Sequence, residues 1–402
     1  MTRREWLAMV STAPFARRIA ADRAEHVARL VATYESQGIH RTGTDVDRLS
    51  ADWLAAEVRD AGLTPALEPF PLSRVDPIAT ALTVRGRHIP GVPLFDAAFT
   101  GAAGIEGGLG PIGGDAELAL AESAPNAAAA GALGDARRTS RHKAIVCVTR
   151  GGRPGLCPSN ADAFLKPFGP PVLQVSSEEG GFLEESARQG ATIHLVAHVE
   201  RKPVEALNVT ARLAGADGSL PPLVVMTPRS GWWTCASERG GGIVCWLELM
   251  RELKTGPLAR DVVFVASSGH ELGHLGINAF VDRRSGIVAR SAGWMHFGAN
   301  IGAAQDPGNT VQSSDDTFEK LLTDAMTAAG LAVTRRVPRG TVPGGEAEVV
   351  HRGGGRYVSV IGRNALFHNP ADRGPEAIDP KVISNFADVS IQIARSLASR
   401  TV

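Results

Sequence analysis

Ser267-Ser268-Gly269-His270-Glu271-Leu272-Gly273-His274-Leu275-Gly276 follows directly on the β-type run Val262 to Ala266. The string contains HExxH, a pattern in which two histidines one helical turn apart bind zinc while the glutamate activates water. That arrangement requires the motif to lie inside a helix already under way. Here a strand and a Ser-Ser-Gly turn come first, so the string reads as a strand-end loop leading into a helix near Leu272 to Val281.

The flanking chain repeats this alternation. After Asn208 come a strand Leu223 to Met226, a helix Gly242 to Leu253, the strand Val262 to Ala266, the helix just described and a strand Gly293 to Phe297. Strands alternating with helices predict an α/β fold with a mostly parallel, mixed central sheet and helices on both faces. Ligands bind such sheets beyond the carboxyl ends of the strands, which predicts that segments 227–239, 267–275, 298–304 and 364–372 meet at one site. Asp379-Pro380, a cap followed by proline, opens a last helix with the stripe Ile383, Phe386, Val389, Ile393 and Leu397. Near the other end, Val27, Leu30, Val31 and Tyr34 lie at helical spacing between residues 20 and 37. A second helix is expected from the cap Ser50 to Gly62, burying Trp53, Leu54 and Val58, and then a strand with Leu67 and Phe70.

A length of 402 residues favours two domains or one domain with a large insertion. Between residues 75 and 205 the texture changes to Gly- and Ala-rich loops with short β-type runs at Ala144 to Val148, Val172 to Val175 and Ile193 to Val199. The expected units are thus a catalytic part, 26–74 with 206–402, and a β-rich insertion, 75–205. Lys plus Arg equals Asp plus Glu at 42 each, and no basic stripe is interleaved with aromatics, which argues against nucleic acid as a partner. No membrane span is visible. The cysteines, Cys147, Cys157, Cys235 and Cys245, form no CxxC pair and exclude a structural zinc knot; Cys147 and Cys157 read either as buried thiols or, after export, as a disulfide. Residues 1–25 read either as an N-terminal helix or as a degenerate export leader, since Met1 to Leu7 is twin-arginine-like and Trp6 to Ala16 forms a short apolar region. Compartment stays open.

Several motifs in order carry a broader resemblance: Arg41-Thr42-Gly43-Thr44, the insertion, Asn208 to Gly215, Gly269 to Gly276, and Phe367-His368-Asn369-Pro370-Ala371-Asp372. The chain resembles the zinc-dependent aminopeptidases related to aminopeptidase S and the glutaminyl cyclases, over nearly everything after residue 25. The insertion resembles a protease-associated domain, most clearly at Pro171 to Gly180. The resemblance implies a phosphorylase/hydrolase-like aminopeptidase fold and two metals sharing a bridging carboxylate. This sequence departs from that pattern. Thr227 stands at one metal's histidine, Arg229 at its supporting aspartate and Ala299 at its second private ligand, whereas Glu238, Glu271 and His368 keep ligand chemistry for the other.

One zinc per chain held by Glu238, Glu271 and His368 is therefore the expectation, with manganese or iron also suited to one histidine and two carboxylates. His270 stands at the family's general base; its pKa near neutrality suits it to moving protons, although it can equally be a ligand, a substrate contact or a histidine satisfied by backbone. Arg229 is expected to take over part of the missing metal's electrostatic role or to point into solvent. His274 is a further candidate if its helix begins early, and His296 lies in a strand where a core role is the default. Trp232, Trp233 and Asn300 are expected at the substrate pocket, one tryptophan alternatively packing under the insertion. Gly240-Gly241-Gly242 is a weak anion-site signal. The expected activity is metal-dependent hydrolysis of an amide C–N bond in a peptide or small molecule. Cyclase or lyase chemistry, a catalytically inactive binding protein and an HExxH zincin are the alternatives.

Overall fold

In the computed structural model the chain is described over residues 23–139 and 141–399. The twin-arginine-like stretch and its apolar region lie outside the described residues. The central sheet runs in the order Arg335–Arg336, Gly308–Ser313, Tyr357–Arg363, Gly293–Phe297, Leu223–Pro228, Val262–Ser267 and Thr192–Leu213. The strands Tyr357–Arg363, Gly293–Phe297, Leu223–Pro228 and Val262–Ser267 are parallel to one another; Gly308–Ser313 and Thr192–Leu213 flank them antiparallel.

Alternation along one strand shows why both faces are covered. Leu223 and Val225 enter the larger core with the helices Ala236–Leu253, Asp316–Ala328 and Pro380–Leu397, while Val224 and Met226 enter a second core with Ile277, Phe280, Trp294 and Val350. All five stripe residues of the last helix are buried, and Asp379 caps it by accepting from Lys381 and Val382 N–H. A helix over residues 23–36 buries Val27, Leu30, Val31 and Tyr34 as the spacing predicts.

Element starts differ from expectation where a cap outside the apolar pattern decides them. The second helix is Asp45–Asp60, opened by Thr44, whose hydroxyl accepts from Asp47 N–H, and not by Ser50. Ala236–Leu253 begins ahead of the glycines, so Gly240 to Gly242 lie inside a helix and offer no terminal amides to an anion. Their role is steric: a Cβ on Gly241 would stand 1.9 Å from the Ile301 carbonyl oxygen. That close approach lets the helix carrying Glu238 seat against the loop carrying Asn300.

Two long strands, Ala66–Val84 and Thr192–Leu213, pair antiparallel and run out of the central sheet. Beyond them the sheet continues through Ile105–Pro111, Leu118–Ser123, Ala144–Thr149, Val172–Val175 and Val92–Pro93, with its own cores around Leu109, Val146, Leu173 and Leu195 and around Leu94, Ala119 and Ile145. A joint cluster including Phe70, Phe95, Phe164, Trp232 and Leu272 fixes this layer to the strand ends of the main sheet. All four cysteines are buried free thiols.

Gly241→Ala is expected to lower stability by about 1–3 kcal/mol, the usual cost of overpacking. Gly181→Ala, in the helix Gly180–Arg188 with nothing near its added Cβ, should raise it by up to about 1 kcal/mol. Urea unfolding of the two variants checks the contrast.

Candidate functional site

The carboxyl ends of the parallel strands meet where the topology predicts. Asn300 N–H donates to the Glu238 carbonyl at 3.0 Å, and Asn364 Nδ2 donates to Asn300 Oδ1 at 3.3 Å and to Ser237 Oγ. Asp372 accepts from Ser237 N–H and Oγ and from Glu238 N–H, at 2.9, 2.7 and 2.9 Å, so the segment after His368 caps the helix that presents Glu238. Burial pushes the Asp372 carboxyl up to about 6 against those hydrogen bonds. Of the six non-glycine residues at positive φ among those described, Cys235, His274, Asn300 and His368 belong to these loops. Backbone held in the left-handed region by bulky residues is concentrated here, as at functional sites generally.

Glu238 and His368 come together. His368 Nε2 lies 3.5 Å from Glu238 Oε1, both residues buried. His368 Nδ1 stands 2.6 Å from the Pro158 carbonyl, which accepts from it and so fixes the tautomer, leaving the lone pair of Nε2 toward the carboxylate. Burial lowers the His368 pKa, with Glu238 opposing, so the imidazole is neutral at pH 7. Two acceptors facing each other at this distance require a positive group beside them. That group is Arg239, whose Nη2 lies 2.7 Å from the same Oε1. Its Nε donates to the Ser230 carbonyl at 2.7 Å and its Nη1 to the Gly298 carbonyl at 3.2 Å. Burial works against the Arg239 charge, but Glu238 outweighs it, helped by Cys235, Tyr34 and Glu271, and the pKa stays above the ordinary arginine value.

Glu271, the third expected ligand, is turned elsewhere. Its Oε1 accepts from Thr42 N–H at 3.0 Å and from Thr42 Oγ1 at 2.6 Å, and its Oε2 accepts from Ser230 Oγ at 2.7 Å. These bonds tie the Arg41-Thr42-Gly43-Thr44 loop to the strand ends and leave little lone-pair capacity for a cation. Among the described residues, no group of three or more His, Cys, Asp or Glu side chains is placed to hold a metal ion. The donor set therefore does not fit the expected mononuclear zinc, manganese or iron centre: two ligands converge, the third is committed, and a guanidinium stands against the shared oxygen. A dication there meets like charge as well as an incomplete shell. The HExxH reading fails for a separate reason. His270 to Leu272 form a single 3-10 turn, and Gly273 and His274 are both left-handed, so no helix places the two histidines one turn apart.

Arg229 is neither in the cleft nor in solvent. It is buried, its Nη1 2.8 Å from Asp47 Oδ1 and donating to the Asp47 carbonyl at 2.7 Å, while Nη2 donates to the Leu207 carbonyl at 2.6 Å. Asp47, raised in pKa by burial and lowered by Arg229, also accepts from Ser268 Oγ and Gly43 N–H. The pair braces the second helix against the strand ends. Trp232 and Trp233 also leave the strand-end cavity. They line a separate apolar cavity of about 420 Å³ with Phe95, Val92 and Ile39, Trp232 meeting Phe95 edge-on and donating to Asn160 Oδ1 at 3.1 Å. Trp233 Nε1 donates to the His368 carbonyl at 2.8 Å. They join the insertion to the site.

His270, His274 and Asn300 do line the strand-end cavity, of about 730 Å³, with Asn160, Asp162, Ala299, Glu348, Asn364 and Phe367. His270 is almost wholly buried. Its Nδ1 faces Glu346 Oε1 at 3.6 Å, and that oxygen accepts from Ser267 Oγ. Burial, then the charges of Arg239, His274 and His368, push the His270 pKa well below its ordinary value. His274 begins the helix Leu275–Asp282, which starts late, yet its ring still reaches the cavity 4.9 Å from that of His270. His296 is a buried neighbour whose Nδ1 pairs with Ser359 Oγ at 2.8 Å; burial lowers its pKa to about 3.

Arg239 and Glu346 are the residues contacting Glu238 and His270 that the sequence did not point to. Arg239 was visible as the residue after Glu238 in a segment expected to meet the other strand-end loops at the site, and the structure buries it there. Glu346 follows Gly344-Gly345 in a stretch without periodicity, and only the tertiary fold brings it under His270.

No family model and no curated protein matches the sequence. Solved structures do match in fold. A zinc aminopeptidase from Bacillus subtilis superposes at TM-score 0.77 with 18% identity, covering 94% of this chain and 96% of that one. A peptidase M28 precursor from Shewanella amazonensis gives 0.71 with 15% identity over 96% and 98%. A glutaminyl cyclase from Porphyromonas gingivalis gives 0.51 with 12% identity over 93% and 98%. The chain thus has the aminopeptidase-like fold along almost its whole length.

Arg229→Ala is expected to cost about 3–5 kcal/mol, because it leaves Asp47 buried without its cation. Asp47→Leu combined with Arg229→Met should cost much less than the two single changes together. Denaturant unfolding of the four proteins checks this coupling.

Proposed function

We propose that the chain is a hydrolase of amide-type C–N bonds in which His270, backed by Glu346, activates water in the strand-end cavity. The observation that carries this reading is the placement of His270: an imidazole on the cavity wall, with a buried carboxylate behind its Nδ1. With Nδ1–H directed at Glu346, Nε2 is left as an acceptor. It takes a proton from water as the water oxygen attacks the carbonyl carbon, and returns that proton to the leaving nitrogen as the C–N bond breaks. The 3.6 Å separation is longer than a hydrogen bond, as catalytic pairs often are before substrate binds.

The cavity wall suits a peptide or peptide-like ligand. Asn160, Asn300 and Asn364 offer amide donors and acceptors, and Asp162 and Glu348 offer acids to a free amine. The fold shared with zinc aminopeptidases supports the reaction class. Glu238 and His368 do not complete a zinc shell, and Arg239 stands against the oxygen they share. We read the insertion as a protease-associated-like domain that forms one wall of the cleft. Its loop supports the site directly: Ala161 N–H donates to the Glu271 carbonyl at 2.8 Å, and Pro158 fixes His368.

A second reading, a binding protein that retains the cleft without turnover, is favoured by one observation. Glu271 is locked by Thr42 and Ser230, which serves rigidity and not chemistry. Hydrolysis of aminoacyl and N-acyl anilides by chelator-treated protein separates the two: turnover supports the hydrolase, whereas peptide binding without turnover supports the second reading. His270→Gln should lower kcat by about 10²–10⁴-fold with the thermal midpoint nearly unchanged. Because burial and neighbouring positive charge hold the His270 pKa well below its ordinary value, the wild-type rate should stay level through neutrality and fall only at pH values below the ordinary imidazole range, where the ring gains a proton. A rate that rises steeply between pH 7 and 9 would contradict His270 as the base.

A further inference from the structure

We propose that the Arg239 guanidinium is a built-in replacement for a metal ion, and that it keeps an otherwise competent pair, Glu238 and His368, from taking up zinc. Three sets of contacts place it in that role. Its Nη2 contacts the Glu238 oxygen that faces His368 Nε2, at 2.7 Å. Its Nη1 and Nε close on the carbonyls of Gly298 and Ser230, at the ends of Gly293–Phe297 and Leu223–Pro228. Those ends are where Ala299 and Thr227 stand, and neither carries a metal donor suited to zinc. Thr227 Oγ1 is occupied besides, donating to the Phe297 carbonyl at 3.0 Å.

The physical requirement is simple. A buried carboxylate whose oxygen faces an imidazole nitrogen at 3.5 Å needs positive charge beside it, and either a dication or a guanidinium supplies it. Arg239 sits one residue after Glu238 on the same rigid helix, so it is always present and needs no loading. Its donors also satisfy two strand-end carbonyls that a lone dication would leave unpaired. The ion contact is close, yet Glu238 Oε1, Arg239 Nη2 and His368 Nε2 all lack an aligned hydrogen bond. Removing the guanidinium while keeping the polarity then leaves an anionic oxygen and a lone pair facing each other, which is a latent cation site.

The test is zinc content and zinc affinity of the full chain, measured by elemental analysis after gel filtration and by competition with a chromophoric chelator, using zinc chloride as the probe. The wild type should retain less than about one-tenth equivalent of zinc. Arg239→Gln should bind zinc at least about tenfold more tightly, and that gain should vanish when His368→Ala is added, because two donors are the minimum the latent site offers. Arg239→Lys keeps the charge and should stay metal-poor. Wild-type protein holding one tightly bound zinc that His368→Ala abolishes would overturn the proposal, as would a folded Arg239→Gln with unchanged affinity. If Arg239→Gln does not fold, the wild-type and Arg239→Lys measurements decide, stoichiometric zinc in either one counting against it.

Discussion

Glu238 and Arg239 form a buried ion pair at the junction of two strand ends and the insertion, and its charge balance constrains everything around it. Glu238 is held in place by Asp372, which caps its helix, and by Asn300, whose amide takes its carbonyl. His368 is held against it by Pro158 from the insertion. Breaking a buried pair by deleting one member is costly because the other charge is stranded, so neither residue is free to drift independently of the other. A centre built this way is rigid, internally neutral and already closed to a second cation.

That neutrality also separates two functions which a metal centre combines. In a metal site, one ion both balances the carboxylates and activates water. Here the balancing charge belongs to Arg239, deep at the strand ends, while in the hydrolase we propose proton handling is the work of His270 on the cavity wall over Glu346. The neutral imidazoles at His270, His296 and His368 follow from burial in each case, with the charge of Arg239 adding to it. Arg229 and Asp47 form a second buried pair that stiffens the platform beneath the loop carrying Thr42. Two arginines ten positions apart on the same strand-end segment thus do different work, one electrostatic and one architectural.

Much of the architecture was legible in the sequence because it rests on local periodicity. The alternating strand Leu223 to Met226 and the stripe from Ile383 to Leu397 read correctly, and so did the convergence of the strand-end loops, which follows from parallel topology alone. Helix starts were less legible, since Thr44 and the segment ahead of Gly240 are set by caps that break the apolar pattern. The site was legible by position but not by contact. Glu238, His368, His270 and Asn300 were placed in the right neighbourhood. That Glu271 turns to Thr42 and Ser230 depends on a loop far away in sequence, and no spacing rule encodes it. Arg229 was misassigned because position in a motif does not say which way a long side chain turns, and its partner Asp47 lies far away in sequence, in the helix Asp45–Asp60.

The most direct measurement is a crystal structure of the protein grown with excess zinc, with anomalous diffraction collected across the zinc edge. No anomalous peak is expected between Glu238 and His368, with the Arg239 guanidinium in contact with Glu238. A full-occupancy peak there, with Arg239 swung away and Glu271 turned from Thr42 to complete the shell, would contradict it.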